Sequence, residues 1–119
     1  MKTHKDLEVW KLAIDFVTEL YVLTKQFPEE EKFGLTSQMR RASVSIPSNI
    51  AEGAARQSDK EFIQFLYIAL GSIVELETQL IIAFNLKYIT KYQFDQFITK
   101  QEHLAKMLNG LIKFIKNRS

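Results

Sequence analysis

A polar stripe in the second quarter of the chain is the part of this sequence best suited to chemistry. Arg41, Ser45, Asn49 and Glu52 are spaced by four, four and three residues, so they share one face if the segment is helical. Arg40 lies beside them. A guanidinium group can hold a carboxylate or a phosphate through two parallel hydrogen bonds. The stripe therefore indicates either an internal ion pair or an anion-binding surface.

A second polar set, further along the chain, offers the stripe an internal partner. Ser72, Glu75 and Gln79 share one face of the next predicted helix, and Glu77 lies on another. In the structural interpretation, Arg41 pairs with Glu75 or Glu77 between the two helices. In the functional interpretation the stripe binds phosphate or a partner, and a catalytic role is the third alternative. The residues concerned form one polar cluster: Arg41, Ser45, Asn49, Glu52, Ser72, Glu75 and Glu77.

Catalytic and metal-binding motifs are missing from the sequence. The two histidines, His4 and His103, lie far apart in the chain, and no Glu-x-x-His pair of the di-iron bundle type occurs. Glu75 and Glu77 are two residues apart and point to different helix faces, so they do not form a carboxylate dyad. The four glycines are isolated, which excludes a glycine-rich phosphate loop. We expect no catalytic residue, no metal, no cofactor and no enzymatic activity.

The charge of the chain is distributed unevenly, although its net value is only +2. Residues 32–60 and 91–119 carry net charges of +3 and +4, whereas residues 1–31 and 61–90 carry −3 and −2. A row of cations can follow the phosphate backbone of RNA or DNA. The alternative is a solvated face whose cations complement the C-terminal end of a helix dipole. The candidate nucleic-acid-binding residues are Arg40, Arg41, Arg56, Lys106, Lys113, Lys116 and Arg118.

Four amphipathic helices are predicted to position these residues. The apolar periodicity places them at about residues 7–26, 35–54, 59–86 and 91–116, with short connections between them. Asp6 is the expected N-cap of the first helix, and residues 58–61 (SDKE) and 90–93 (TKYQ) have the pattern of capping boxes. Residues 1–119 are therefore predicted to form one all-α domain, an antiparallel up-down-up-down four-helix bundle.

Pro47 falls inside the second predicted helix. Proline lacks an amide proton and crowds the carbonyl four residues earlier, here that of Ser43. The two alternatives are one helix kinked at Pro47 and two shorter helices that meet near Ser45. The apolar phase continues across Pro47, which favours the kinked helix. Ser45 and Asn49 would then satisfy backbone groups that the proline frees.

The third helix is apolar on more sides than a bundle requires. Its first stripe is Phe62, Leu66, Ala69, Ile73, Leu76, Leu80 and Ala83, and its second is Ile63, Tyr67, Leu70, Val74, Ile81 and Phe84. The first helix also has two adjacent apolar seams. One seam per helix suffices for a monomeric bundle, and large exposed apolar patches mark association surfaces. The sequence therefore predicts a homo-oligomer.

Composition gives the expected setting of the protein. A chain of 119 residues fits one domain, and 46% apolar with 25% charged residues is ordinary for a globular protein. The chain has no cysteine, which suits a reducing cytoplasm. Its start does not have the pattern of a signal peptide, and no unbroken apolar run is long enough to span a membrane. We therefore expect a cytoplasmic protein that does not contact the membrane.

Five segments of the chain resemble the four-helix-bundle proteins called 23S rRNA intervening sequence proteins. They are residues 6–10 (DLEVW), 33–42 (FGLTSQMRRA), 45–53 (SIPSNIAEG), 65–72 (FLYIALGS) and 75–80 (ELETQL). The likeness covers nearly the whole chain and is more specific than a generic bundle pattern. One departure is Leu70, which stands where arginine is common in the family.

The resemblance implies a particular assembly but no chemistry. The family is bacterial, has no established enzymatic activity, and is encoded within intervening sequences of large-subunit ribosomal RNA genes or elsewhere in the genome. Similar proteins assemble as ring-shaped homopentamers. A relative, the accessory variability determinant of diversity-generating retroelements, binds a reverse transcriptase and nucleic acid through a basic surface.

Two functions remain as hypotheses at this point. In the first, a homo-oligomer, pentameric by resemblance, binds the backbone of RNA or DNA through its basic residues. In the second, the ring is an interaction scaffold that presents itself to a partner protein such as a polymerase. Nucleic-acid affinity that falls with salt distinguishes the first hypothesis from the second.

Overall fold

The protein is helical throughout the part described by its computed structural model, residues 3–118. The four main helices are α1 (Glu8–Thr24), α2 (Leu35–Ala54), α3 (Asp59–Asn85) and α4 (Lys91–Arg118). Short 3-10 turns precede α1 (His4–Asp6) and α2 (Glu29–Glu31), and no strand occurs in residues 3–118. The predicted all-α class is confirmed, and the helix bounds lie within two residues of those expected.

The ends of the helices follow the local sequence signals closely. At α3 the Ser58 hydroxyl accepts from the Glu61 amide at 3.1 Å and donates to the Glu61 carboxylate at 3.2 Å. At α4 the Gln93 amide donates to the Thr90 hydroxyl at 3.1 Å, and the Thr90 amide donates to Gln93 Oε1 at 2.9 Å. The capping box at Thr90 therefore forms in full. Ser58 caps the Glu61 amide, but the Glu61 carboxylate contacts the Ser58 hydroxyl rather than the Ser58 amide. The N-cap of α1 is Leu7 rather than the expected Asp6, because residues 4–6 form a separate turn.

The helices pack around one apolar core. The α2–α3 contact is the most extensive, the α3–α4 contact is next, and α1 rests on α2 and more loosely on α4. The last turn of α4 meets the first turn of α3, where Arg118 bonds Asp59, while Phe84 near the end of α3 stacks on Phe94 near the start of α4. The first predicted stripe of α3 is buried in full. The core thus lies where the periodicity placed it.

The second apolar stripe of α3 is only partly covered. Ile63, Leu70 and Phe84 are half-buried against the core. The other three residues of the stripe, with two isoleucines beside them, are 42–55% exposed and form an outer α3 patch: Tyr67, Ile68, Val74, Ile81 and Ile82. The chain therefore leaves part of the apolar surface of α3 in contact with solvent.

Helix α3 is also long and apolar enough to cross a membrane when length and composition alone are considered. Its best window has a mean hydropathy of 1.6, and one third of that window is buried within the structure. The core helix of a bundle satisfies the same criterion, so the sequence-based expectation of no membrane contact stays a prediction.

Helix α2 continues through Pro47 as one helix rather than as two shorter ones. Asn49 Nδ2 donates to the Ser45 carbonyl at 2.8 Å. The carbonyl that loses its amide partner through the proline is that of Ser43, so Asn49 does not satisfy it as expected. A bend of α2 at Pro47 stays a prediction.

The α2–α3 corner depends on the absence of a side chain at Gly53. A Cβ atom there would lie 2.8 Å from Phe65 Cβ and 2.9 Å from a ring carbon of Phe62. These distances are shorter than van der Waals contact, so the ends of the two helices approach as closely as a glycine permits. Gly110, in the middle of α4, is the opposite case, because no atom lies within 4 Å of its hypothetical Cβ.

Two glycine-to-alanine substitutions should therefore change stability in opposite directions. Gly53→Ala should lower the free energy of unfolding by about 1–3 kcal/mol through overpacking. Gly110→Ala should raise it by about 0.5–1 kcal/mol, because alanine costs less backbone entropy in a helix. Urea unfolding followed by circular dichroism at a fixed protein concentration measures both. Equal stability of Gly53→Ala and the wild-type protein would contradict the close contact.

Candidate nucleic-acid interface

Part of the predicted polar cluster lies at the contact between α2 and α3. The Ser72 hydroxyl donates to the Ser45 hydroxyl at 2.8 Å, and Asn49 Nδ2 donates to the same oxygen at 2.9 Å. Ser72 is buried, and Ser45 and Asn49 are half-buried. These three side chains satisfy one another between the two helices. Their arrangement fits the structural interpretation of the stripe.

The charged members of the polar cluster lie outside this contact. Glu52, Glu75 and Arg41 are exposed, and Glu77 is half-buried. Gln79 Nε2 donates to Glu75 at 3.1 Å. Within residues 3–118, Arg41 makes no hydrogen bond or ion pair, so the ion pair considered above is not formed. Small serine side chains occupy the close approach of the helices, and the longer charged side chains extend past it into solvent.

Arg40 joins α2 to the end of α1. Its Nε donates to the Thr24 hydroxyl at 2.9 Å, its Nη2 donates to the Tyr21 carbonyl at 3.2 Å, and its guanidinium lies 4.6 Å from the centre of the Tyr21 ring. A cation at the last carbonyls of a helix complements the helix dipole. Arg40 therefore has a structural role, although no carboxylate neutralises its charge in the described chain.

A cavity of about 410 Å³ opens beside Arg40 at the start of α2. We call it the α2 pocket, and its lining residues are Tyr21, Lys32, Phe33, Thr36, Ser37, Arg40 and Arg41. Three of the seven are cations and none is acidic. Lys32 Nζ lies 5.6 Å from the centre of the Phe33 ring. The α2 pocket is therefore a positively charged cavity with an aromatic residue at its edge.

The remaining candidate cations lie on α4 and in the connection between α2 and α3, and they have different surroundings. Arg118 binds Asp59 through two hydrogen bonds, at 3.1 and 2.9 Å, and this pairing raises the pKa of its guanidinium. Arg56 lies 4.7 Å from the centre of the Phe65 ring. Lys116 also contacts α3, through the Tyr67 hydroxyl. Asp59 thus reduces the charge that Arg118 can offer to a phosphate.

Lysines dominate the outer side of α4. Lys116 donates to the Tyr67 hydroxyl at 2.8 Å. Lys106 and Lys113 are exposed, seven residues apart, and neither pairs with another group in residues 3–118. Because seven residues are about two helical turns, the two lysines share one face. Exposed Glu102 lies one turn before Lys106 on the same face, and a role of these lysines in binding nucleic acid stays a prediction.

The seven predicted binding residues do not gather at one place in a subunit. Arg40 and Arg41 line the α2 pocket near the start of α2, whereas Arg56 follows its end. Arg41 and Arg56 are 15 residues apart, or about 23 Å along a helix, so the two groups lie well apart along the bundle. Sequence reasoning missed Lys32 and Phe33 as site residues. The available signal was a cation and an aromatic residue directly before a helix whose second turn carries two arginines.

The chain is an all-helical protein, and the basic α2 pocket is the most distinctive feature of its surface. Among residues 3–118, no group of three or more histidine, aspartate or glutamate side chains could hold a metal ion. The chain belongs to the 23S rRNA-intervening sequence protein family, whose sequence profile matches residues 5–110. The predicted family membership is thereby confirmed.

A solved structure supports the same assignment. The chain is similar to a protein of unknown function from the S23 ribosomal protein family of Bacteroides thetaiotaomicron VPI-5482, whose crystal structure was determined at 1.70 Å resolution. The TM-score is 0.81 at 28% sequence identity, with 88% of this chain and 95% of the other covered. No match is found among curated proteins.

A carboxylate close to the α2 pocket is oriented by other partners. Glu31 Oε1 accepts from the Leu35 amide at 3.1 Å, and Oε2 accepts from the Tyr88 hydroxyl at 2.8 Å. The amide first, and the hydroxyl second, hold the pKa of Glu31 below its ordinary value. The same contact raises the pKa of Tyr88. Glu31 therefore joins the start of α2 to the α3–α4 connection.

Glu31→Gln should make folding stability less sensitive to acid. A carboxyl group whose pKa is lowered in the folded state stabilises the protein above its unfolded pKa, and this contribution disappears as the pH falls through the folded pKa. The variant should thus be less stable than wild type at neutral pH, and the difference should shrink below about pH 4. Urea unfolding across pH measures the difference. Glu30→Gln is the control, and a pH-independent difference for Glu31→Gln would contradict the assignment.

Proposed function

We propose that the protein is a non-enzymatic, cytoplasmic homo-oligomer that binds the phosphate backbone of RNA or DNA. The observation that carries the proposal is the α2 pocket, where Lys32, Arg40 and Arg41 stand together with no carboxylate among the lining residues. Uncompensated cations in a concave site attract phosphate groups, and such contacts position a nucleic acid without reading its sequence. The family name, which refers to sequences that intervene in 23S rRNA, supports a connection with RNA.

Assembly into a ring would give this weak site a useful affinity. Each phosphate neutralised on duplex DNA contributes a salt-dependence slope of about −0.9, so two or three cations on one subunit bind weakly. Linked copies make later binding steps intramolecular and raise the overall affinity by orders of magnitude. We propose a closed ring of antiparallel up-down-up-down bundles with α2 bent at Pro47, and five copies is the number that the family resemblance implies.

The outer α3 patch supports the assembly. Its residues are apolar and exposed, and they lie on a helix whose other side already fills the core. A second copy packed on the patch would remove this surface from water. Burial of apolar surface stabilises an assembly by about 25 cal/mol per Å². The same patch also suits the second candidate function, a scaffold that presents the ring to a partner protein such as a polymerase. That function remains if the assembled protein shows no affinity for nucleic acid.

Binding to RNA or DNA is tested by fluorescence anisotropy with a labelled oligonucleotide at several salt concentrations. Arg41→Gln should weaken binding similarly for all sequences and reduce the salt-dependence slope by about 1 for each phosphate that Arg41 neutralises. Lys11→Gln removes the same charge from the exposed face of α1 and should leave binding nearly unchanged. Equal effects of the two substitutions, or no binding of the wild-type protein at low salt, would contradict the proposal.

Assembly is tested by light scattering, which measures the mass of the particle in solution. This mass is compared with the 13.9 kDa of a single subunit. Val74→Asp should reduce the measured mass without unfolding the helices, because an interface would then bury an unpaired carboxylate. Val22→Asp is the matched control, since Val22 is 63% exposed and Val74 is 55% exposed. A wild-type protein that is monomeric at working concentration would overturn the assembly.

A further inference from the structure

Building on the proposed function, we infer that the α2 pocket is a subsite for one nucleotide unit of a single-stranded nucleic acid. Phe33 stacks on an unpaired base, while Lys32, Arg41 and the first turn of α2 hold the adjoining phosphate. The inference goes beyond backbone binding because it specifies unpaired bases and assigns a role to an aromatic residue.

Phe33 is the most exposed large apolar residue in the described part of the chain. Its side chain is 90% exposed, and it stands directly before α2 at the edge of the α2 pocket. Burial in the core therefore does not explain a phenylalanine at this position. Aromatic side chains beside cations form stacking platforms for bases in proteins that bind single strands. Inside a duplex both faces of a base are covered by the neighbouring base pairs, so the platform selects the unstacked bases of a single strand.

The first turn of α2 supplies donors for a phosphate. Thr36 is only 8% exposed and lines the α2 pocket, and its hydroxyl bonds to no group in residues 3–118. Ser37 lines the α2 pocket beside it, and its hydroxyl likewise has no bonded group in that range. The Leu35 amide is already bound by Glu31, and the Gln38 amide donates to the Gly34 carbonyl. Helix N-termini bind phosphate through donors in the first turn. Here the free donors of that turn are the hydroxyls of Thr36 and Ser37.

The charges around the α2 pocket favour an anion. Arg41 is exposed and unpaired in the described chain. Lys32 forms no ion pair there and its Nζ lies beside the Phe33 ring, while Glu29 lines the adjoining cavity together with Lys32. The acidic turn Glu29–Glu31 precedes Lys32, but none of its residues lines the α2 pocket. The Glu31 carboxylate is held by Leu35 and Tyr88. The cavity of about 410 Å³ falls within the usual range for small-ligand sites.

The test compares three labelled probes at the same low salt concentration: a single-stranded oligonucleotide, a duplex of equal phosphate count, and an abasic sugar–phosphate oligomer. The wild-type protein should bind the single strand most tightly. Phe33→Ala should weaken single-strand binding by about 5- to 100-fold, the range typical of removing a base–aromatic stack. Binding of the abasic oligomer should remain unchanged. Phe33→Trp should retain affinity, and its fluorescence should be quenched by the single strand and not by the abasic oligomer.

Phe114→Ala is the matched control. Phe114 is a 61% exposed phenylalanine near the end of α4, 5.7 Å from the Arg118 guanidinium, and it lies outside the α2 pocket. Its removal should leave the ratio of single-strand affinity to abasic-oligomer affinity unchanged, because Phe114 adjoins the candidate cation Arg118 and not the α2 pocket. Because Phe33 makes little contact with the core, Phe33→Ala should keep the circular dichroism spectrum of the wild-type protein, which verifies that any loss of binding is not caused by unfolding.

The outcomes separate this inference from the proposed function. If the wild-type protein binds the abasic oligomer and the duplex as tightly as the single strand, backbone binding stands and the base subsite is wrong. If Phe33→Ala reduces the mass measured by light scattering, Phe33 contacts a second copy of the chain and the subsite is wrong. If no probe binds, both the proposed function and the subsite are wrong.

Discussion

The structure depends on the burial of one side of α3 against the other three helices. Ile73, Leu76 and Leu80 are fully buried in the middle of that helix, and the core extends from them towards α1, α2 and α4. A helix that is apolar around most of its circumference needs cover on several sides. One chain supplies cover for the inner side only, so the outer α3 patch remains exposed. The apolar character of α3 therefore stabilises the subunit through its buried side and, through its exposed side, is the reason for expecting more than one copy.

Polar contacts determine how closely the helices approach, and the apolar core determines which faces meet. Between α2 and α3, hydroxyl groups at Ser45 and Ser72 bond directly, and Gly53 lets the helix ends touch without a side chain. Buried polar groups that satisfy one another specify a register, because any slip would leave them unpaired. Charged residues of the same stripe are then displaced to the surface. The exposure of Arg41, which makes it available to a ligand, follows from the small residues that occupy the close approach.

Sequence reasoning anticipated the features that depend on local spacing and missed those that depend on how loops and helices meet. The N-caps at Ser58 and Thr90 and the buried stripe of α3 follow from patterns within one helix. The α2 pocket combines the end of α1, the turn before α2 and the second turn of α2, so no single periodicity reveals it. The ion pair considered for Arg41 failed for the same reason. The spacing of residues along the chain shows which of them share one face of a helix. It does not show how far apart two helices lie, because that distance depends on the side chains at their closest approach.

The unequal packing of the helices determines where the subunit can deform. Helices α2 and α3 share the most extensive packing, a direct hydroxyl bridge and a glycine corner, whereas α1 and α4 have far fewer residues in contact. A wide apolar groove with charged sides runs between α1 and α4, lined in part by Phe16, Leu104 and His103. Elements with little buried apolar packing open at lower free-energy cost than the rest of a protein. We therefore expect local opening to cost least along the α1–α4 seam, where the exposed Lys100–Glu19 ion pair is one of the few links between the two helices.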